Sequence, residues 1–140
     1  MKRINLETDR GVISTCFWEG PNNAPVLHWA HANGFNGQTY ATLLNKLKSS
    51  FNIYAWDTPG YGKSKIGENY NFINPVLGYA RDLEAFIETL YSRHNRKILL
   101  AGHSIGGSLS IMISEALKEK ISGLMLADPV IIKSKYKYLT

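Results

Sequence analysis

The motif Gly-His-Ser-Ile-Gly-Gly at residues 102–107 constrains this chain more than any other part of the sequence. It directly follows the apolar run at residues 98–101, so the pattern predicts a buried strand, a sharp turn that carries Ser104, and a helix that begins at Ile105. Such a turn needs glycine two residues before and two residues after the serine, because side chains there would collide with the neighbouring strand and helix. The alternative interpretation, a glycine-rich turn with an incidental serine, is disfavoured by the strand and helix patterns on either side.

A second strand-and-loop pattern lies nearer the N-terminus. The apolar-rich run at residues 26–30 ends in His31-Ala32-Asn33-Gly34-Phe35. A short strand that breaks into a glycine-containing loop is where an acyl-transfer site places one of its two oxyanion donors. The other donor is expected behind the serine, where a helix N-terminus presents backbone N–H groups and a partial positive charge.

A third pattern follows the predicted strand at residues 51–56. It reads Asp-Thr-Pro-Gly-Tyr-Gly-Lys-Ser at residues 57–64. The Gly-Lys-Ser ending is not a nucleotide-binding P-loop, because that motif needs glycine where this chain has Asp57. Pro59 and Gly60 instead favour a bend, in which the carboxylate of Asp57 can accept hydrogen bonds from nearby backbone N–H groups. We therefore interpret Asp57 as a loop organiser.

Taken in order, these three motifs resemble the N-terminal part of the α/β-hydrolase fold superfamily, in its serine hydrolases of the AB hydrolase-1 type, over about residues 26–128. The resemblance implies an α/β fold, a mostly parallel sheet with helices on both faces that covers about strands 1–6 of the core. It implies Ser104 as the nucleophile and the N–H groups of Asn33 and Ile105 as the oxyanion hole. Residues expected to support these loops are His31, Gly34, Gly102 and Gly106. Ala32 departs from the glycine that most members carry, and alanine can serve there if its φ is negative.

The resemblance further implies hydrolysis of a carboxylic ester or a related acyl compound, with a small-molecule acyl substrate and no metal or organic cofactor. The family order of nucleophile, acid and histidine requires a histidine after Ser104, but all four histidines of this chain precede it. His28 is expected in the core, His31 as a loop brace, His94 as a solvated helix-end residue and His103 pointing away from the serine. The general base is therefore expected to be missing.

Asp128 leaves two interpretations open. It follows the predicted sixth strand, where some α/β-hydrolases carry the triad carboxylate, and it also begins an Asp-Pro turn that needs only local hydrogen bonding. We expect little or no activity from the isolated chain. The alternative to an incomplete serine hydrolase is a non-catalytic truncated product, or a binding or interaction module that kept the half-fold.

The remaining elements follow from periodicity and turn residues. Strands are predicted at residues 2–7, 12–18, 26–30, 51–56, 97–101 and 124–127, and the last helix at 105–119. Tyr40, Leu43, Leu44 and Leu47 have the spacing of one helix face. Asn74-Pro75 predicts the start of another helix, with a buried stripe at Leu77, Ala80, Leu83, Phe86, Ile87 and Leu90. We expect one α/β-hydrolase-like domain over residues 1–140, truncated after strand six, whose exposed edge promotes self-association.

Composition excludes several classes of protein. A hydrophobic content of 44% with 19% charged residues is typical of a globular chain. The net charge of +5 comes from scattered basic residues, and the one cluster, at Lys133, Lys135 and Lys137, is expected to be the start of a lid segment or a solvated end, so no nucleic-acid partner is predicted. A single cysteine, Cys16, allows no intramolecular disulfide. We predict neither a signal peptide nor a membrane-spanning segment, and a cytoplasmic location.

Overall fold

A computed structural model of the chain describes residues 1–67, 70 and 73–131. The lysine cluster at residues 133–137 lies outside the described residues. Six strands are present in this part of the chain: β1 Lys2–Thr8, β2 Gly11–Trp18, β3 Val26–Ala30, β4 Asn52–Trp56, β5 Ile98–His103 and β6 Ile121–Ala127. A 3₁₀ turn at Gly37–Tyr40 leads into the first helix, and the helices are α1 Ala41–Asn45, α2 Pro75–His94 and α3 Ile105–Ser114.

The six strands form one sheet in the order β1-β2-β4-β3-β5-β6. The pairs β1–β2 and β2–β4 are antiparallel, whereas β4–β3, β3–β5 and β5–β6 are parallel. Every residue of β3 is buried, as expected for a central parallel strand that is covered on both faces. The predicted mostly parallel sheet is confirmed.

Helices cover both faces of the sheet, as predicted. On one face α2 and α3 pack over the larger core, which includes Val26 and Tyr54. On the other face the short α1 contributes Leu44 to a second core with Leu27 and Ile53. Because alternate residues of each strand enter opposite cores, the apolar runs of the sequence are buried on both sides.

The first helix is shorter than its sequence spacing suggests. Asn36 caps the 3₁₀ turn by accepting hydrogen bonds from the N–H groups of Gln38 and Thr39, and α1 adds only five residues. A 3₁₀ turn has three residues per turn, so positions chosen for a period of 3.6 do not share a face. Leu44 is buried, Tyr40 and Leu47 are half-buried, and Leu43 is 46% exposed. The prediction of a single buried face was wrong at Leu43.

The second helix agrees with the sequence. Asn74 accepts a hydrogen bond from the N–H of Leu77 at 3.2 Å, and Pro75 occupies the first helical position. The predicted stripe is buried from Ala80 to Leu90, although Leu77 is half-buried. Asn95, with a φ of 48°, ends the helix in the left-handed region.

The last helix and the last strand have different bounds from those predicted. Helix α3 ends at Ser114 rather than 119, since residues 115–120 form turns. Strand β6 begins at Ile121 rather than 124, because Ile121 pairs with Ile98 of β5 and the carbonyl of Lys120 accepts the N–H of Ile98 at 2.9 Å. Ser122 and Gly123 have low strand propensity, so the apolar pattern alone predicts a start for this strand that is three residues too late.

Strand β6 occupies the end of the sheet order, and within the described residues it pairs with β5 alone. Leu124, Met125 and Leu126 are each 37–43% exposed. Met125 is in register with Ala101 of the smaller core, whereas Leu124 is in register with Leu100 of the larger one. The strand therefore exposes apolar side chains on both faces of the sheet.

Candidate active site

Ser104 lies in the turn between β5 and α3 and has a strained backbone, with φ 54° and ψ −121°. The positive φ is uncommon for a residue with a side chain and marks positions that their surroundings hold in place. A Cβ on Gly102 would lie 2.5 Å from the carbonyl carbon of Gly106. A Cβ on Gly106 would overlap the carbonyl group of Ala30 in β3. The backbone segments around Ser104 are thus too close for side chains at either glycine.

Backbone hydrogen bonds fix the turn on both sides. The N–H of Ser104 donates to the carbonyl of Ala127 at 3.0 Å, and its carbonyl accepts the N–H of Ser108 at 3.2 Å. Ile105 follows as the first residue of α3, where a helix leaves its N–H groups without intrahelical acceptors. The turn therefore presents a half-buried hydroxyl beside the positive end of a helix dipole.

One pocket of about 500 Å³ brings together Ser104, Ile105, Asn33 and His31. Its other walls are Ala32, Thr58, Tyr61, Pro75, Val76, Tyr79, Leu109 and Val130. Among the described residues that form the walls there is no acid, lysine or arginine, and this lining suits an uncharged, largely apolar ligand. Gly34 and Asp128 are not among the walls.

His31 braces the loop that it begins, the role expected for it. Its Nδ1 donates to the carbonyl of Ala32 at 2.8 Å, and its Nε2 accepts the N–H of Thr58 at 3.0 Å. Burial lowers the pKa of His31, which is in keeping with a neutral ring that donates from one nitrogen and accepts at the other. Since both nitrogens are engaged, this ring is not placed to take a proton from Ser104.

Two tyrosines that the sequence reasoning missed hold the same loop. Tyr61 donates its hydroxyl hydrogen to Oδ1 of Asn33 at 2.7 Å. The hydroxyl of Tyr40 accepts the N–H of Ala32 at 3.0 Å. Ala32 does not have a positive φ, so the alanine fits where the family pattern has glycine. Gly34 does have a positive φ, 77°, which an alanine there would not accept without strain.

Asp57 organises the loops beneath the pocket, and this prediction is confirmed. The side chain is fully buried, and its Oδ1 accepts the N–H of Gly37 at 2.8 Å. Its Oδ2 accepts the N–H of Lys63 at 2.8 Å and a hydrogen bond from the guanidinium of Arg3 at 2.6 Å. Arg3, on β1, is a partner that no local pattern indicates. The pair neutralises a buried charge next to the pocket.

The other three histidines lie away from the pocket. His28 is fully buried and, among the described residues, neither of its ring nitrogens has a hydrogen-bond partner. His94 is half-buried, and its Nε2 is bonded to the hydroxyl of Tyr54 at 2.9 Å, so the expectation of a solvated side chain was wrong. Nδ1 of His103 is bonded to the hydroxyl of Tyr40 at 2.8 Å.

Residues 22–139 match the family model for serine aminopeptidase S33. The chain belongs to this α/β-hydrolase family. It is 25% identical over 133 residues to protein phosphatase methylesterase 1 from Bos taurus, and the alignment covers 93% of this chain and 34% of that protein. It is 27% identical over 113 residues to the pimeloyl-[acyl-carrier protein] methyl ester esterase from Wigglesworthia glossinidia brevipalpis, covering 80% of this chain and 39% of that protein. The chain thus spans little more than a third of the length of these curated relatives.

Solved structures give the same fold. A membrane phospholipase A described as a bacterial virulence factor superposes with a TM-score of 0.81 at 21% identity, over 97% of this chain and 42% of that chain. At this identity the likeness establishes the shared fold. Within the described part of the chain, no helix is both long and apolar enough to cross a membrane. Nor do any three His, Cys, Asp or Glu side chains of the described residues group as metal ligands.

Asp128 is the residue for which the sequence leaves open the role of triad acid or of an Asp-Pro turn. It follows β6 with a φ of 45° and is exposed. The bond between the N–H of Ser104 and the carbonyl of Ala127 places the residue before Asp128 against the turn. Its role as the acid remains a prediction.

Proposed function

We propose that this chain carries the nucleophile and the oxyanion hole of a serine hydrolase that cleaves carboxylic esters or related acyl compounds. Oγ of Ser104 attacks the carbonyl carbon of the substrate, and the N–H groups of Ile105 and Asn33 donate hydrogen bonds to the oxygen as it becomes negative. The observation that carries the proposal is the strained turn at Ser104, which shares one pocket with both N–H donors.

The relatives support an ester as the scissile group. The two curated relatives described above are named as a methylesterase and a methyl ester esterase. The described walls of the pocket carry no formal charge and suit a neutral acyl group, and an oxyanion that forms there meets no carboxylate among these residues. Each oxyanion donor contributes on the order of 10²–10³ in kcat in enzymes of this chemistry. No step of the reaction requires a metal or an organic cofactor.

None of the histidines is placed to act as a base for Ser104, and this favours a second candidate function. All four histidines lie in the described residues; His31 uses both ring nitrogens in bonds to the backbone of Ala32 and Thr58, and the other three are not among the pocket walls. A chain with a formed turn and no base could serve as a non-catalytic product or an interaction module. The two candidates differ in whether the hydroxyl of Ser104 reacts once a base is supplied.

Labelling with a fluorophosphonate probe separates them. Without an added base we expect negligible labelling, and hydrolysis of p-nitrophenyl acetate at a rate that Ser104→Ala leaves unchanged, because loss of a triad base costs on the order of 10⁶ in turnover. Imidazole at neutral pH supplies a general base and should promote labelling that Ser104→Ala abolishes. Ser114→Ala is the matched control, since that hydroxyl lies on the same helix and bonds the carbonyl of Ile111 at 2.8 Å.

Mass spectrometry of the labelled peptide decides the outcome. The non-catalytic candidate is supported if imidazole does not promote labelling of Ser104 in the folded chain. It is also supported if wild type and Ser104→Ala are labelled equally. Stoichiometric labelling of Ser104 without imidazole contradicts the expected absence of a base. In that case His31 or His103 supplies one after leaving its present hydrogen bonds, or a second copy of the chain does.

A further inference from the structure

The hydroxyl of Tyr40 joins the two backbone segments that carry the proposed oxyanion donors. It accepts the N–H of Ala32 at 3.0 Å, and it is bonded to Nδ1 of His103 at 2.8 Å. Ala32 immediately precedes Asn33, whereas His103 immediately precedes Ser104 and its neighbour Ile105. One side-chain oxygen therefore connects the loop after β3 to the end of β5.

The donor and acceptor roles follow from the chemistry of the groups. Burial raises the pKa of Tyr40, so its hydroxyl keeps the proton at neutral pH. One lone pair of the oxygen accepts from Ala32, and the hydroxyl proton is free to point at His103. In the tautomer that carries its ring hydrogen on Nε2, Nδ1 of His103 accepts this hydrogen bond. That arrangement satisfies both bonds at once without any charged group.

The ring of Tyr40 is itself fixed in place. It packs against Trp29 and Phe35, with ring centroids 5.1 and 6.1 Å away. The turn that carries it begins at Gly37, whose N–H is held by buried Asp57 at 2.8 Å. A Cβ on Gly37 would overlap the carbonyl group of a β4 residue, so this turn lies directly against the sheet. Rigid support of this kind lets a single hydroxyl set a distance between two loops.

We propose that Tyr40 is a positioning residue of the oxyanion hole, which ties the Ala32 amide to His103 and so sets the separation of the Asn33 and Ile105 N–H groups. The proposal rests on the proposed function of these two N–H groups as donors. Oxyanion donors act at about 2.7–3.1 Å from the oxygen, and a displacement of about 1 Å can cost on the order of 10² in rate. Loss of the tie should therefore slow reaction at Ser104 without removing any group that touches the substrate.

Tyr40→Phe removes the hydroxyl and keeps the ring. The matched control is Tyr54→Phe, which removes another tyrosine–histidine hydrogen bond, a 2.9 Å contact with His94 that lies outside the pocket. Fluorophosphonate labelling of Ser104 is measured in the presence of imidazole. We expect roughly tenfold slower labelling in Tyr40→Phe, within the range for misplaced donors, and a wild-type rate in Tyr54→Phe.

Nuclear magnetic resonance tests the tie independently of reactivity. In wild type we expect ¹⁵N shifts of His103 typical of a ring protonated on Nε2, and in Tyr40→Phe a mixture of the two neutral tautomers. The amide resonances of Asn33 and Ile105 should shift in Tyr40→Phe and stay in place in Tyr54→Phe. A purely structural role for the ring would leave the labelling rate of Ser104 unchanged, because phenylalanine keeps the packing.

The outcomes separate the two proposals. If Ser104 is not labelled in any form, the proposed function fails, while the histidine tautomer and the amide shifts still report on the tie. Wild-type tautomer and amide shifts in Tyr40→Phe overturn the positioning role, whatever the labelling shows. So does labelling by Tyr40→Phe at the wild-type rate. If Tyr40→Phe does not fold, His103→Ala cuts the other end of the tie, and the same amide shifts and slower labelling are expected.

Discussion

Acidification should destabilise this protein through His28. The ring is fully buried on β3, with the rings of Phe86 and Trp56 at 5.4 and 5.8 Å. Neither ring nitrogen has a hydrogen-bond partner within the described residues. Burial, with a smaller contribution from His31, lowers the pKa of His28 to about 3. An imidazolium cannot be solvated in this position, so the folded protein holds the ring neutral.

The sign and size of the effect follow from proton linkage. In the unfolded chain the pKa of His28 returns to 6.5, so between pH 6.5 and about pH 3 the unfolded state binds one more proton than the folded state. Stability contributed by the neutral ring is thus fully present above pH 6.5 and is lost as the pH falls towards 3. The slope is about 1.4 kcal/mol per pH unit. Between pH 7 and pH 4.5 the free energy of unfolding should fall by about 2.5 kcal/mol from this group.

Urea unfolding of wild type and His28→Phe at these two pH values measures the effect. Phenylalanine is a ring of similar size without a titratable nitrogen, and its neighbours are already aromatic. Burial also lowers the pKa of His31 and His94 and raises that of Asp82, but those groups are present in both proteins and cancel in the difference. His94→Gln is the control, because this half-buried histidine should contribute less.

The comparison of wild type with His28→Phe can also contradict a role for His28 in acid destabilisation. If the loss of stability between pH 7 and pH 4.5 is the same in His28→Phe as in wild type, within about 0.5 kcal/mol, His28 does not carry the linkage. A titration of the His28 ring near pH 6.5 in the folded protein, followed by proton resonance shifts, would also contradict it. Either outcome means that the ring has a polar partner or access to water.

The remaining predictions concern packing, charge and association. Gly106→Ala should lower the free energy of unfolding by about 2–3 kcal/mol in urea, because its Cβ would overlap a β3 carbonyl. Gly67→Ala, which meets no atom within 4 Å, is the control and should have little effect. Asp57→Ala should cost about 3 kcal/mol, since it strands a cation and two N–H donors, whereas Glu19→Ala in an exposed ion pair should change stability by less than about 1 kcal/mol. Self-association through β6, seen by light scattering, should be reduced by Met125→Lys; a monodisperse wild-type monomer would argue against such association.

The sheet and the three loop motifs could be predicted from the sequence because their signals are local. Apolar runs mark β3 and β5, and the glycines around Ser104 are required by contacts within a few residues or with the adjacent strand. Helix α2 carries both a cap and a long apolar stripe, so its bounds were clear. The prediction was wrong where the local signal was weak, at the short α1 and at the start of β6 with its serine and glycine.

The side-chain hydrogen bonds that hold the loops of the site could not be predicted in this way, because each joins residues far apart in the chain. Tyr40 and His103 are 63 residues apart, and Arg3 and Asp57 are 54 residues apart. Tyrosine and arginine are common on the surfaces of any α/β protein, so their presence alone indicates no partner. These contacts depend on the folded sheet, in which β1 and β5 lie on opposite sides of β3. The strand order therefore has to be known before such partners can be identified.

The placement of charge in this region favours the chemistry proposed for it. A carboxylate facing the pocket would oppose the negative charge that forms on a substrate oxygen. The fully buried Asp57 lies outside the pocket walls and is compensated by Arg3 at 2.6 Å and by two backbone N–H groups. The loop bearing Asn33 is held instead by neutral groups: the ring of His31 and the hydroxyls of two tyrosines. The donors can thus be positioned rigidly while the described walls of the pocket contribute only dipoles, which suits the stabilisation of an oxyanion.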